Sequence, residues 1–175
     1  MGKHFRNSLK YLYFEWMDNI AHFFDEIRKG NLPKIKTLIA TEPNLIHARD
    51  SRGSTPLILA SYYEFLEITD FLLESGAVVD EKDGTGNTAL MGVCFKGFIP
   101  LAKKLIENGA NVNERNTMGA SPLIYAVTFN RPEIAQMLLT KGANIAVKDA
   151  RGNTALDHAK LQGSPALIDL LEGKG

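Results

Sequence analysis

The stretch Asp50-Ser51-Arg52-Gly53-Ser54-Thr55-Pro56-Leu57 decides the fold, because its grammar returns three more times. It reappears as Asp83-Gly84-Thr85-Gly86-Asn87-Thr88-Ala89-Leu90, as Asn116-Thr117-Met118-Gly119-Ala120-Ser121-Pro122-Leu123, and as Asp149-Ala150-Arg151-Gly152-Asn153-Thr154-Ala155-Leu156. Each copy begins 33 residues after the last, so Gly53, Gly86, Gly119 and Gly152 form one ladder and Leu57, Leu90, Leu123 and Leu156 another. Gly76, Gly109 and Gly142, each followed by alanine, keep the same period. A fixed period of this length marks a stacked architecture in which each unit is buried by its neighbours.

The chemistry of one unit, residues 50–82, gives its local structure. Asp50 to Gly53 is a turn, with Gly53 free to take a positive φ. Thr55 caps the helix that follows, and Pro56 suits its first position, where a missing N–H costs nothing. Leu57 and Ala60 share one helical face. A second helix turns Ile68, Leu72 and Leu73 inward and Glu64, Glu67, Asp70 and Glu74 outward, and Gly76 closes it as a left-handed cap. Each unit is therefore a turn plus two short antiparallel helices.

These motifs resemble ankyrin repeats. The family pattern T-P-L-H-x-A appears as Thr55-Pro56-Leu57-Ile58-Leu59-Ala60, Thr88-Ala89-Leu90-Met91-Gly92-Val93, Ser121-Pro122-Leu123-Ile124-Tyr125-Ala126 and Thr154-Ala155-Leu156-Asp157-His158-Ala159. The pattern G-A-x-x-N is met by Gly109-Ala110-Asn111-Val112-Asn113 and partly by Gly142-Ala143-Asn144-Ile145-Ala146. A divergent opening copy fits residues 18–49, with Gly30-Asn31-Leu32 leading into its second helix and one extra residue near Glu42-Pro43-Asn44. The resemblance implies an all-α solenoid of stacked helix-turn-helix units with short hairpin loops. Its five repeats fall at about 18–49, 50–82, 83–115, 116–148 and 149–175, after an N-terminal amphipathic extension or cap over 1–17. One departure is consistent: the motif histidine is replaced by Ile58, Met91, Ile124 and Asp157, removing the hydrogen bonds it makes to the hairpin backbone. Polar Asp157, Lys160, Gln162 and Asp169 mark the last copy as an end cap.

Composition narrows the function classes. Twenty Lys and Arg balance twenty Asp and Glu over 175 residues, which gives no bulk attraction for nucleic acid or anionic membrane. The content, 45% hydrophobic and 23% charged, is that of a soluble globular chain. Cys94 is the only cysteine, so no intramolecular disulfide exists, and no apolar run approaches the ~20 residues of a membrane span. The N-terminus lacks a secretory h-region, and Arg6 stands where an acylation signal wants Ser or Thr. A cytoplasmic location is the expectation.

No residues compose an active site, and neither a cofactor nor a metal is expected. Cys94 shares the small-residue slot of Ser61 and Val127 and reads as an inert core thiol. The four histidines (His4, His22, His47 and His158) lack metal-ligand spacing. Gly84-Thr85-Gly86-Asn87-Thr88-Ala89 formally matches a dinucleotide fingerprint, but the repeat register accounts for Gly86 and Ala89 and no βαβ pattern surrounds them.

What remains is surface. In proteins of the resembled family, hairpin tips and first-helix ends line a concave groove that binds other proteins. By register, the helix ends here are Arg28 and Lys29, Tyr62 and Tyr63, Phe95 and Lys96, Thr128 and Phe129, and Leu161 and Gln162. Aromatic and basic side chains of this kind dominate interface energetics. The same resemblance implies that Tyr62, Phe95 and Phe129, on three successive first helices, stand about 10 Å apart per repeat. Arg49, Lys82, Arg115 and Lys148 precede the four turns and form a basic ladder, with Arg52 and Arg151 nearby. That ladder either pairs locally with acids or favours an acidic partner segment. The expected partner is thus another protein with an apolar and acidic segment, bound by an adaptor, inhibitor or accessory module. An alternative rests on Phe5, Leu9, Leu12 and Trp16, which share one helical face broadened by Tyr11, Tyr13, Phe14 and Met17. This face either caps the first repeat over Phe23, Phe24 and Ile27 or drives self-association, so the chain is a monomer or a weak homodimer.

Overall fold

A computed structural model describes residues 16–173. Helix α1 covers residues 16–28, so positions 17 and 18 lie within one continuous helix. Trp16 packs partly buried against the core, while Met17 is exposed. Phe5, Leu9, Tyr11, Leu12, Tyr13 and Phe14 lie outside the described residues. After α1 come α2 (Leu32–Thr41) and a 3-10 turn (Pro43–His47). Four helix pairs follow: α3 (Pro56–Tyr62) with α4 (Leu66–Glu74), α5 (Ala89–Lys96) with α6 (Ile99–Glu107), α7 (Pro122–Thr128) with α8 (Pro132–Thr140), and α9 (Ala155–Gln162) with α10 (Pro165–Glu172). Among the described residues there is no strand.

Each first helix starts for the same reason. Thr55, Thr88, Ser121 and Thr154 are extended, and each hydroxyl accepts the N–H three residues on, from Ile58, Met91, Ile124 and Asp157. This satisfies one of the orphan donors of each helix start. Termination is equally regular. Gly76, Gly109 and Gly142 sit at φ 96°, 89° and 85°, and the following amides of Ala77, Ala110 and Ala143 donate back to Leu72, Leu105 and Leu138. The first helices close in the same way through a ladder that sequence inspection passes over: Glu64, Gly97, Asn130 and Gly163, all left-handed. Only two of those four are glycines.

Burial runs sideways, from unit to unit. α3, α5, α7 and α9 pack in series, and α4, α6, α8 and α10 form a second row against them. The ladder leucines Leu57, Leu90 and Leu123 are 1% exposed, and one continuous apolar cluster extends from Phe23 in α1 to Leu171 in α10.

The hairpins between units are closed without the motif histidine. Oδ1 of Asp50 accepts the amides of Arg52 and Ser54, each at 2.9 Å. Asp83, Asn116 and Asp149 repeat this pair of contacts with Thr85 and Asn87, Met118 and Ala120, and Arg151 and Asn153. Such a side chain folds the backbone back on itself. Successive hairpins then bond directly: the amides of Gly84, Thr117 and Ala150 donate to the carbonyls of Arg52, Thr85 and Met118 at 3.1, 3.1 and 2.8 Å. All four ladder glycines hold a positive φ, and at Gly53 and Gly86 this close approach adds a second reason for glycine. A Cβ on Gly53 would stand 2.9 Å from the Gly84 nitrogen, and one on Gly86 would stand 2.8 Å from that of Thr117.

A left-handed residue other than glycine is strained by roughly 1–2 kcal/mol, less for asparagine. Glu64 is exposed and holds φ 65°. Glu64→Gly is therefore expected to stabilise the protein in urea denaturation by about 1 kcal/mol, part of the relief being offset by unfolded-chain entropy. Asn130→Gly should gain less, and a loss at position 64 would show that the turn is unstrained.

Candidate functional site

The hairpins and first helices share one face of the stack, and a run of partly exposed aromatic side chains crosses it. Tyr62, Tyr63 and Phe129 are 39%, 46% and 39% exposed. Phe95 lies half-buried between Tyr62 and Phe129. The rings do not stand apart at the stack's pitch. Tyr62 stacks on Phe95 with centroids 6.4 Å apart, and Phe95 meets Phe129 edge to face at 4.5 Å. Tyr63 extends the cluster at one end and Tyr125 at the other. The physical reason is that ring quadrupoles favour offset and edge contacts, so neighbouring rings lean together across repeats. The result is one continuous aromatic patch rather than separate anchors. Lys96 lies with its ammonium 4.9 Å from the Tyr62 ring centroid, a cation–π contact.

The basic ladder behaves differently. Arg49 donates to the Lys82 carbonyl at 2.6 Å, Lys82 to that of Arg115 at 3.0 Å, and Arg115 to that of Lys148 at 2.7 Å. Each side chain thus reaches forward one repeat and clamps the next hairpin. Arg49 also pairs with Glu81 and Lys82 with Glu114. Lys148 is the last rung, and among the described residues its ammonium pairs with no carboxylate. Lys82 and Arg115 are accordingly committed to joining units, while Tyr62, Tyr63, Phe95, Lys96 and Phe129 gather on the open face. A second clamp runs alongside: the Asp80 carboxylate accepts the Asn111 amide and Asn113 Oδ1 accepts the Asn144 amide.

The remaining expected positions are spread along the same face. Arg28 is spent on Asp25 and Asp50, and Lys29 on Glu26. The Gln162 amide donates to the Thr128 carbonyl. Leu161 is 76% exposed at the end of the stack. Arg131, which no motif singled out, caps α5 from the neighbouring unit by donating to the Phe95 carbonyl.

Family comparison now bears on this geometry. The family model described as ankyrin repeats (3 copies) matches residues 78–149 and again 96–175, and a single ankyrin repeat matches residues 52–84. The chain belongs to the ankyrin-repeat family. Ankyrin repeats are protein–protein interaction modules, and the aromatic patch lies on the hairpin-and-first-helix face of this one. Within the ankyrin stack Cys94 is fully buried, and burial pushes its thiol far above the ordinary range. Gly86 sits at φ 81° in an ankyrin hairpin with no strand before it, so the dinucleotide fingerprint is not realised. Among the described residues no His, Cys, Asp or Glu cluster could hold a metal ion, and no helix is long and apolar enough to cross a membrane.

Two outcomes follow from the clamps between units, and a third from the burial of Cys94. Arg115→Met removes the donor to both Gly119 and Lys148 and should cost about 1 kcal/mol in chemical denaturation. An unchanged midpoint would mean that solvent replaces the clamp. The Glu114 carboxyl is held below its ordinary value chiefly by its hydrogen bond from Lys82. A depressed value means that stability is present in full above the usual glutamate range of about 4.3 and is lost as pH falls through the lower folded value. Acid titration should reveal this loss, at most ~1 kcal/mol for so exposed a pair. Lys82→Met should remove most of it, the Asn111 side chain and the Arg115 amide holding the rest. Cys94 should resist a thiol reagent until the protein unfolds, and rapid stoichiometric labelling of the native state would contradict its burial.

Proposed function

We propose that this protein is a non-catalytic binding module, an adaptor, inhibitor or accessory subunit, whose concave face docks a segment of another protein. The observation that carries this reading is the continuous contact of Tyr62, Phe95 and Phe129 across three successive repeats while the outer two rings remain about two-fifths exposed. A purely structural aromatic cluster would bury its rings, whereas interface anchors hold large rigid area ready at low entropic cost. The surrounding charges suit an acidic partner. Among the described residues Arg52, Lys96, Lys148 and Arg151 pair with no carboxylate, while Asp50, Asp83 and Asp149 are occupied by turn amides. Cations on such a rim govern association rate and salt dependence more than final affinity.

The test compares the full chain with Tyr62→Ala/Phe95→Ala in affinity capture from native host extract, followed by affinity measurement on the captured partner. Truncating central aromatic anchors costs ~2 kcal/mol or more, so binding should weaken about 30-fold or beyond. The melting temperature should move little, because Tyr62 and Phe95 are not among the fully buried side chains. A folded double variant that binds as well as the parent would remove the concave face from consideration. Loss of folding would instead place the rings in the core.

A further inference from the structure

At the C-terminal end of the aromatic patch the face deepens into a cavity of about 220 Å³. Met118 lines it from the hairpin side, Ile124 and Tyr125 from α7, and Phe129 from the C-cap of that helix. Its volume decides what fits. An apolar cavity of about 150 Å³ accepts benzene, whereas pockets for whole small molecules begin near 300 Å³. The space therefore suits one aromatic side chain and is too small for a cofactor. Two ring walls and a thioether, which favours contact with ring edges, select an aromatic guest over an aliphatic one.

The polar groups around the cavity fix the guest's neighbour. Asp149 Oδ1 accepts the amides of Arg151 and Asn153, and its Oδ2 meets His158 Nε2 at 2.8 Å. This carboxylate is fully committed within the chain. Arg151 also lines the cavity, is exposed, and pairs with no carboxylate among the described residues. The uncommitted charge at this site is a guanidinium.

We infer that this cavity is the anchor pocket of the docked segment, taking one aromatic side chain of the partner while Arg151 pairs with an aspartate or glutamate adjacent to it. This rests on the concave-face reading above and adds the partner's local chemistry. The dipeptide signature is a ring beside an acid, in either order.

The probes are short blocked peptides, acetyl-Gly-Phe-Glu-Gly-amide and acetyl-Gly-Glu-Phe-Gly-amide, titrated into the full chain with methyl-labelled Met118 and Ile124 observed by NMR. At least one should shift both signals saturably at millimolar concentration. Replacing Phe by Ala should abolish the shift, and replacing it by Leu should weaken it several-fold. Arg151→Glu should weaken the acidic peptide about threefold or more, as an exposed ion pair allows, and favour a lysine counterpart. Ala150→Trp places an indole from the exposed hairpin tip over the cavity and should block both peptides. The assignment falls if neither ring-bearing peptide gives a saturable shift up to about 10 mM, if the leucine peptide binds equally well, or if Ala150→Trp binds like the parent. The two readings separate with the native partner. Capture lost in Tyr62→Ala/Phe95→Ala but retained in Ala150→Trp leaves the concave face standing and removes the pocket. Capture retained in both removes the concave face itself.

Discussion

Helices of seven to ten residues are too short to persist alone in water, so contact with a neighbouring unit is the constraint from which everything else here descends. It explains why Leu57, Leu90 and Leu123 recur without variation and why Gly53 and Gly86 tolerate no Cβ, since the next hairpin passes within van der Waals reach. It also explains the direction of the clamps. Arg49, Lys82 and Arg115 each donate forward to the hairpin that follows, so no unit's hairpin is stabilised by its own residues alone. Stability in such a stack is a sum of nearest-neighbour terms.

The same constraint frees the face that carries the aromatic patch. Hairpin amides find partners in the Asx side chains and in the preceding hairpin, and the capping hydroxyls serve the helix starts. Apart from Gln162, which bonds the Thr128 carbonyl, the first-helix ends are left with no backbone duty that their side chains must meet. Tyr62, Phe95 and Phe129 occupy this permissive ground. Their mutual contacts hold the patch in one arrangement, which is the preorganisation that the proposed docking would draw on.

How much of this was legible in the sequence depends on the range of the interaction. The N-cap hydroxyls, the Gly76, Gly109 and Gly142 caps and the core leucines are local or periodic signals, and they placed the helices correctly. The reach of Lys82 to the Arg115 carbonyl was not legible, because a contact spanning 33 residues depends on hairpin separation, which no motif states. The residue type alone left the ladder equally compatible with partner binding. The lean of Phe95 onto Phe129 was hidden for the same reason: side-chain direction between units follows packing, not spacing. By sequence Glu64 falls on the outward face of the second helix, whereas it holds the left-handed turn before α4. Its ladder varies in residue type, although Gly97 and Gly163 at the same register are a usable signal. The half-buried network of Asn87, Asn116 and Tyr125 joins two units through residues that each read as ordinary on their own.

One position shows how a uniform scaffold acquires a particular specificity. The residue nine places after each turn Asp or Asn is Leu59, Gly92, Tyr125 or His158. All four occupy equivalent sites, and the backbone needs none of them. Tyr125 bonds Asn116, and His158 bonds Asp149, whereas Gly92 leaves the Tyr62 ring room to lie 3.8 Å from where a Cβ would stand. Asp50, with only Leu59 opposite it, turns its second oxygen to Arg28 instead. Variation at this single register therefore sets whether that point of the face offers a phenol ring, an imidazole, an aliphatic group or open space. It makes the C-terminal end of the face chemically unlike the N-terminal end, even though the repeats beneath them are the same structure. A partner that reads this surface reads the departures from the repeat, and the repeat itself only spaces them.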